Sequence, residues 1–464
     1  MGIKQVIYAI NIFFFIYMFL YALVYFLNTV FASFKLDDFS SRKEHMGQSI
    51  LKNELNYIPI SILVPAYNEE ITIINSIDSL LELDYPKYEI IIVDDGSKDK
   101  TSEKIIEHYK LKKVKKPYRR LVESKDALDI YENENNVRII LAEKENGGKS
   151  DALNLAINIS TFPIFLCVDA DSVIQRDALK KIVEPFLESD ETLAVGGNIR
   201  VSNGMTIENG GVILSEKPKN PVVIFQIIEY LRVFLNSRVS LNGINGNLII
   251  SGAFGLYKKQ AVVNVGGYSH GLMGEDMEII VKIHSFYRKN KIAYKTSYVP
   301  DAICWTQVPE RLKILRRQRR RWHVGLGQSL KRHKYMLFNP KYGTVGVLSF
   351  PYFLFFEYLT PLLEILGLTT ITISYLIDII NLKFFVLYIL VYIGYNIVIS
   401  MISIITDIYI FGIESNRGIV GRLFLFSILE GFGYRQMISL FRLGNIFKGK
   451  DSQKWGEMER VEMK

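Results

Sequence analysis

The sequence predicts an α/β domain with a parallel-rich sheet, flanked at both ends by apolar segments long enough to form transmembrane helices. Short runs rich in Ile and Val alternate with helix-like segments in the middle of the chain. The remaining apolar residues concentrate near the two ends, and polar motifs follow the central runs directly. Composition agrees, because 49% of the 464 residues are hydrophobic, which is too apolar for a disordered chain.

The net charge and the cysteine content limit the class of protein. Lys and Arg number 56 against 48 Asp and Glu, and this net charge of +8 suits a membrane protein and a nucleic-acid binder equally. Two cysteines occur, Cys167 and Cys304, far apart in the sequence. A disulfide-stapled scaffold and a multi-cysteine zinc site are therefore excluded.

The first apolar segment, residues 6–31, carries no charged side chain. As a helix at about 1.5 Å per residue it would be about 39 Å long, enough to cross a hydrocarbon core of about 30 Å. A cleaved signal peptide is the alternative, but its apolar region would be shorter and a small-residue cleavage site would follow it. We therefore predict a membrane anchor over residues 1–34 and a linker over residues 35–56.

The C-terminal part contains three further apolar stretches, which we assign to membrane or interfacial helices over residues 335–443. Glu357, Glu364 and Glu430 lie within them, and ionisable residues at membrane depth face a bundle interior or a polar path. A helix end at the headgroups explains Glu357 and Glu430 equally well, so the number of crossings stays open. Residues 444–464 are expected to form a cytosolic tail. The three stretches are residues 345–377, 384–411 and 419–443.

Residues 57–334 have the pattern of an α/β domain. Four short runs rich in Ile and Val are separated by helix-like segments, as expected of parallel strands that are buried on both faces. Ligands of such sheets bind beyond the carboxyl ends of the strands, so we expect the functional site in the polar motifs that follow them. The four runs are residues 57–65, 88–93, 137–141 and 164–168.

Two acidic motifs follow strands directly. Asp94 and Asp95 follow the second run, where a simple turn is one explanation and a contact to a base or ribose is the other. Asp169 and Asp171 follow the fourth run, and two carboxylates at this spacing can share a hard divalent cation together with phosphate oxygens. Because the second motif comes immediately after a strand, we favour a metal site there.

The sequence N-G-G-K-S at residues 146–150 is similar to part of a phosphate-binding P-loop. The Walker pattern needs glycine at position 143, where Glu143 stands, so an ATPase is excluded. What is left is a glycine turn, Lys149 and a helix N-terminus, a combination that suits an anion such as a diphosphate.

Two further motifs lie near the end of the domain. Glu275 and Asp276 follow Gly274 at the start of a helix-like stretch, where acidic residues are common because they complement the helix dipole. Residues 316–322 (RRQRRRW) would suit a solvated basic helix or a nucleic-acid patch. No zinc finger or ribonucleoprotein-type motif accompanies them, so nucleic acid is not an expected partner.

The order of these motifs resembles a known family. Strand-D-D-G-S, D-x-D, G-E-D and Q-x-x-R-W between membrane segments are together similar to the processive family-2 glycosyltransferases, which include cellulose, chitin, hyaluronan and poly-N-acetylglucosamine synthases. Residues 64–70 (VPAYNEE) also resemble the opening strand and loop of that family. The resemblance implies a GT-A-type nucleotide-sugar-binding domain. Some larger members carry a C-terminal cyclic-dinucleotide domain, which we do not expect because few residues follow the last apolar stretch.

Position by position, the resemblance implies a role for each motif. Asp276 would be the catalytic base that takes a proton from the acceptor hydroxyl, and the reaction would invert the anomeric carbon. Asp169 and Asp171 would bind Mg²⁺ or Mn²⁺, a Lewis acid for the leaving UDP. The nucleotide-sugar would contact Asp94, Asp95, Lys149, Asp169 and Arg321. The acceptor would contact Glu275, Gln318, Trp322 and Gly252.

The implied function is polymerisation of UDP-N-acetylglucosamine or UDP-glucose by a processive inverting β-glycosyltransferase that also moves its polymer across the membrane. The partners would be the UDP-sugar, the growing polysaccharide and membrane lipid. A small accessory membrane subunit is a further candidate partner. The catalytic domain would face the cytoplasm from the plasma membrane. The alternatives are a transferase that adds one sugar to a lipid and a non-enzymatic membrane protein. The intact acids Asp169, Asp171 and Asp276 count against the second alternative.

Overall fold

The computed structural model describes residues 3–46, 57–133, 137–204, 206–208, 211–213, 218–411 and 417–444. In these ranges the chain forms a large mixed sheet with helices on both faces, joined to a bundle of apolar helices. The predicted tail, apart from its first residue Gly444, lies outside the described residues.

The strands of the described residues form one large sheet and one small ribbon. They are β1 (Ile60–Ala66), β2 (Tyr88–Asp94), β3 (Lys112–Lys113), β4 (Ala127–Glu132), β5 (Arg138–Lys144), β6 (Ile164–Cys167), β7 (Ser172–Ile174), β8 (Thr192–Val201), β9 (Thr206–Glu208), β10 (Gly211–Ile213), β11 (Gly255–Lys258) and β12 (Lys295–Thr306). The sheet has the order β3-β4-β5-β2-β1-β6-β11-β8-β12-β7, and β9 pairs with β10.

The centre of the sheet is parallel, as predicted. β1 lies between β2 and β6, with Ala66 opposite Asp94 and Leu63 opposite Cys167. Every residue of β2 and of β8 is buried, because helices cover both faces of the sheet. The carboxyl ends of β1, β2 and β6 therefore lie side by side, and the polar loops that follow them meet.

The helices up to the end of the α/β domain are α1 (Ile3–Met46), α2 (Ile73–Leu81), α3 (Thr101–Tyr109), α4 (Lys149–Ile159), α5 (Ala178–Ile182), α6 (Glu184–Glu188), α7 (Pro221–Leu231), α8 (Arg238–Asn242), α9 (Lys259–Asn264), α10 (Glu275–Lys289) and α11 (Leu312–Arg332). A π-helical segment, Arg232–Ser237, joins α7 to α8. One face of the sheet packs on α2 and α3 through Ile77 and Ile105. The other face packs on α4 and α10 through Leu153 and Ile280, so the domain has three layers.

Helix α1 is longer than the predicted anchor. It continues through residues 35–46, which belong to the predicted linker, and its Leu36 is buried in a hydrophobic cluster that also contains Ile224 and Ile228 of α7. Burial of this apolar side chain stabilises the helix beyond the apolar segment, since most helical stability in proteins comes from such packing. The helix therefore connects the apolar segment directly to the α/β domain.

The C-terminal bundle contains helices of several kinds. The α-helices are α12 (Phe350–Tyr352), α13 (Thr360–Leu376), α14 (Leu382–Phe411), α15 (Arg417–Leu429) and α16 (Arg435–Leu443). The π-helical segments are Val345–Ser349, Phe353–Tyr358 and Glu430–Tyr434, and the 3₁₀ turns are Lys334–Met336 and Pro340–Tyr342.

Within the described ranges, two helices are long and apolar enough to cross a membrane, namely α1 over Ile3–Arg42 and α14. The pair Val345–Tyr358 and Thr360–Leu376, bent by 47°, would be a third span if it crosses as one unit. These helices are those of a membrane protein.

Two acidic residues of the bundle form ion pairs inside it. Glu364 forms an ion pair with Arg435, whose Nε lies 2.9 Å from Glu364 Oε1, and Glu430 accepts two hydrogen bonds from the guanidinium of Arg232. Both carboxylates are almost completely buried, where a charge is tolerated only beside an opposite charge. Of the alternatives that the sequence left open for Glu364 and Glu430, these ion pairs favour the interior of the bundle, where the two side chains join helices.

Candidate active site

The loops at the carboxyl ends of the central strands meet the first turns of two helices. Lys149 begins α4, Glu275 and Asp276 begin α10, and Asp169 follows β6. The structure brings these four side chains, predicted from three separate motifs, into one group. We call it the Lys149 cluster.

Lys149 is the cation at the centre of this cluster. Its Nζ lies 2.6 Å from Asp169 Oδ1 and 3.4 Å from Glu275 Oε1. Burial lowers the pKa of Lys149, but the charges of Asp169, Glu275 and Asp276 outweigh burial and raise that pKa above its ordinary value. The ammonium group is therefore charged and is the counter-charge that these carboxylates share.

The backbone of Gly252 lies against the Lys149 cluster. A Cβ atom at this position would be 3.1 Å from Lys149 Nζ and 3.6 Å from Asp276 Cβ. Residue 252 is thus beside both the cation and the predicted base, and a side chain there would crowd the lysine.

The Asp276 carboxyl group is half-buried in this cluster. Desolvation raises its pKa most and the neighbouring Glu275 raises it further, while Lys149 and the backbone N–H of Met277 act in the opposite sense. The net effect raises the pKa of Asp276 from 3.8 to about 6. Such a carboxylate accepts a proton more readily than an ordinary Asp and is still mostly ionised at neutral pH, as a general base requires.

Asp94 and Asp95 are buried and hydrogen-bonded within the protein. Asp95 accepts the backbone N–H groups of Gly147 at 2.9 Å and Gly148 at 2.7 Å. Asp94 accepts the backbone N–H of Ser97 at 2.9 Å. Both carboxylates therefore fix loops of the site, and Asp95 holds the glycine turn that leads into Lys149. For Asp94 this is the simple turn that the sequence left open as one explanation, whereas sequence reasoning missed the role of Asp95 in holding the glycine turn.

Lys144 also supports the site and was not predicted. It is completely buried at the end of β5, with Nζ 2.5 Å from Asp95 Oδ1 and 2.8 Å from Asp151 Oδ1. It places one positive charge between two buried carboxylates that would otherwise repel each other. In the sequence Lys144 is only a lysine at the end of an apolar strand, which does not indicate this role.

Replacing Lys144 with methionine is expected to destabilise the protein by about 3–5 kcal/mol, because two buried carboxylates lose their shared counter-charge. Lys113→Met is the matched control, since Lys113 pairs with Asp129 on the surface, where an ion pair contributes about 0–1 kcal/mol. Thermal unfolding in detergent, followed by tryptophan fluorescence, measures both. Equal melting temperatures for the two variants would contradict the role of Lys144.

Helix α11 carries the Q-x-x-R-W motif. Trp322 is 43% exposed, and the guanidinium carbon of Arg319 lies 4.4 Å from its ring centroid. Arg319 is completely buried and pairs with Glu229 Oε2 of α7 at 2.7 Å, so an ion pair orients the indole. Gln318 and Arg321 are half-buried on the same helix. In the described part of the chain neither of them hydrogen-bonds to the Lys149 cluster, so the structure does not join all the predicted residues.

The D-x-D residues fit a divalent cation that is shared with a ligand. Asp169 and Asp171 are half-buried between β6 and β7, and among the described residues no three His, Cys, Asp or Glu side chains are arranged to hold a metal. Two carboxylates fill only two coordination positions of a hard cation and leave the others to water and phosphate oxygens, which is the arrangement usual for Mg²⁺. This donor set suits a cation that binds together with a diphosphate.

Comparison with known protein families identifies the class to which the chain belongs. The glycosyl transferase family 2 profile matches residues 61–264, and the glycosyl transferase family group 2 profile matches residues 164–398, half of the chain. The chain belongs to the family-2 glycosyltransferases, which confirms the family indicated by the order of its motifs.

Similar proteins include poly-β-1,6-N-acetyl-D-glucosamine synthases. The synthase of Staphylococcus aureus strain COL is 32% identical over 294 residues, and that of Staphylococcus epidermidis is 31% identical over 292 residues. Each alignment covers 63% of this chain and 60% of the relative. The chain thus matches less than two thirds of the length of these relatives.

A solved structure has a similar fold. It is a mannosyltransferase from Pyrobaculum calidifontis in complex with GDP-Man and Mn²⁺, and the match covers 85% of this chain and 99% of that one with a TM-score of 0.52. The sequences are 18% identical, so the likeness concerns the fold. The predicted GT-A-type domain is confirmed.

Proposed function

We propose that this chain is a processive inverting β-glycosyltransferase that polymerises UDP-N-acetylglucosamine. The observation that carries the proposal is the position of Asp276, a carboxylate with a raised pKa that lies beside the cation Lys149 and on the turn that contacts α11. The names of the similar synthases favour N-acetylglucosamine over glucose as the sugar. The product would be a poly-N-acetylglucosamine, made on the cytoplasmic face of the plasma membrane.

In the proposed reaction, the oxygen of an acceptor hydroxyl attacks the anomeric carbon of the donor sugar from the side opposite UDP. The bond from that carbon to the diphosphate breaks as the glycosidic bond forms, so an α-linked donor gives a β-linked product. Asp276 takes the hydroxyl proton, Lys149 binds the diphosphate oxygens, and Trp322 stacks on the terminal sugar. Mg²⁺ or Mn²⁺ held by Asp169 and Asp171 would supply positive charge to the leaving UDP.

The proposed role of Asp276 predicts the pH dependence of transfer. A general base works only when deprotonated, so the rate should be constant well above pH 6 and fall about tenfold per pH unit below it. Initial rates between pH 4.5 and 8.5, at donor and acceptor concentrations well below their KM values, measure this fall, because kcat/KM reports the pKa of the free enzyme. The residual rate of the Asp276→Asn variant should not show this fall below pH 6. A wild-type rate that stays constant down to pH 5 would contradict the assignment.

The donor is tested with the purified chain in detergent and a panel of radiolabelled UDP-sugars. UDP-N-acetylglucosamine should give a long labelled polymer, while UDP-glucose and UDP-glucuronate should give none. Polymer from another donor would replace the proposed sugar. A labelled lipid with one sugar would favour the alternative of lipid glycosylation.

We further infer that the growing chain leaves through the helix bundle, beginning at Glu357. Arg238 interacts electrostatically with both Asp276 and Glu357, so it links the site to the bundle. Glu357 accepts a hydrogen bond from the hydroxyl of Tyr25 at 2.8 Å, and the rings of Tyr21 and Tyr25 on α1 are 4.5 Å apart. Acidic and aromatic side chains offer a sugar chain hydrogen bonds and flat surfaces, and ionisable residues at membrane depth are rare unless they are paired or face a polar path.

Translocation is tested with the chain in sealed liposomes whose catalytic domains face outward. Donor is added outside, and labelled polymer should resist an added glycanase until detergent opens the vesicles. Polymer that is fully digested from outside would leave synthesis intact and overturn export.

A further inference from the structure

Helix α11 and the G-E-D turn touch backbone to backbone. A Cβ atom at Gly325 would lie 2.7 Å from the backbone nitrogen and 2.8 Å from the Cα of Gly274. A Cβ atom at Gly274 would in turn lie 3.0 Å from the Cα of Gly325. Carbon atoms in contact are about 3.5–4.0 Å apart, so a side chain at either position would force the two elements apart.

Two further contacts fix the same part of α11. Gln328 Oε1 accepts a hydrogen bond from the backbone N–H of Met273 at 2.9 Å, immediately before the G-E-D turn. His323 stacks on Tyr358, with ring centroids 4.8 Å apart and an interplanar angle of 10°. The helix is therefore held between the turn that bears Asp276 and the bundle segment Phe353–Tyr358.

We propose that Gly325 and Gln328 are positioning residues that set the distance between Trp322 and Asp276. The proposal rests on the proposed function, in which Trp322 stacks on the acceptor sugar and Asp276 takes the proton of its hydroxyl. Trp322 lies one helical turn before Gly325, and Asp276 lies two residues after Gly274, so a shift at the glycine contact moves the acceptor relative to the base. A misplacement of about 1 Å can lower a rate by about 10²-fold.

Gly325→Ala tests the contact, because the added methyl group must move α11 by about 1 Å to reach a normal carbon separation. We expect kcat to fall about 10²-fold, while the KM for UDP-N-acetylglucosamine changes less than threefold, since Lys149 and Asp169 stay in place. Gln328→Leu removes one hydrogen-bond acceptor and should lower kcat about three- to tenfold. Gly394→Ala on α14 is the matched control, because a Cβ atom there meets no atom within 4 Å.

Hydrogen–deuterium exchange of residues 271–277 measures the contact without any substrate. Exchange should be faster in Gly325→Ala and Gln328→Leu than in the wild type and Gly394→Ala. The proposal is overturned if Gly325→Ala transfers sugar at the rate of Gly394→Ala, or if exchange is unchanged. If the wild type transfers no sugar, the proposed function fails. Hydrogen–deuterium exchange then decides by itself whether the contact between Gly325 and Gly274 fixes the turn. If Gly325→Ala does not fold, the same two measurements on Gln328→Leu decide.

Discussion

Replacing Asp276 with asparagine is expected to lower the rate of sugar transfer by about 10²–10⁴-fold, the usual cost of removing a general base. The amide keeps the shape of the side chain and can still accept the hydrogen bond from the backbone N–H of Met277. It cannot take the proton of the acceptor hydroxyl. The chemical step should therefore fail while the fold and donor binding are kept.

The measurement for this variant separates chemistry from binding. Transfer is followed as release of UDP in the presence of acceptor, and donor affinity is measured by calorimetry with UDP. Asp190→Asn is the matched control, since Asp190 is exposed at the surface and should transfer at the wild-type rate. Turnover of Asp276→Asn within a few-fold of the wild type, with unchanged donor affinity, would refute the assignment of the base.

Removal of divalent cations should abolish transfer, and Mg²⁺ or Mn²⁺ should restore it. Asp169 and Asp171 offer two hard oxygen ligands after β6, and a cation held there together with the diphosphate would stabilise the leaving UDP by about several kcal/mol. Chelation with EDTA, followed by titration with each metal, measures the requirement.

Two variants connect the metal requirement to these carboxylates. Asp171→Asn should raise the metal concentration needed for half-maximal rate by more than tenfold, because one of two charged ligands is lost. Glu145→Gln is the control, since its side chain is exposed and lies 3.6 Å from Lys125 Nζ. Full activity in the chelator would refute the metal site.

The strands and the acids at their ends were predictable because their signals are local. The run of apolar residues in β2 ends at Asp94, and the run in β6 is followed at once by Asp169. Continuous apolar runs indicate burial on both faces, and parallel strands place their carboxyl ends together. To predict that Asp169 and Asp276 lie in the same site, the family resemblance was also needed, because spacing in the sequence does not show which distant motifs come together.

The remaining features depend on contacts between distant residues and have no local signal. Nothing near Lys144 in the sequence shows that its side chain is buried between Asp95 and Asp151. The pairing of Glu364 with Arg435 is set by how α13 and α16 are rotated against each other, which hydropathy does not report. An acid in an apolar stretch has the same sequence signal whether it forms an ion pair or lines a polar path.

The length of the product made by the purified chain tests the central claim most directly. The chain is incubated with a brief pulse of radiolabelled UDP-N-acetylglucosamine and then with excess unlabelled donor, and products are sized by gel filtration. A processive polymerase should carry the label into long chains while most acceptors remain unextended, because the product stays bound between additions. Products of one sugar, or release of UDP without polymer, would contradict the account.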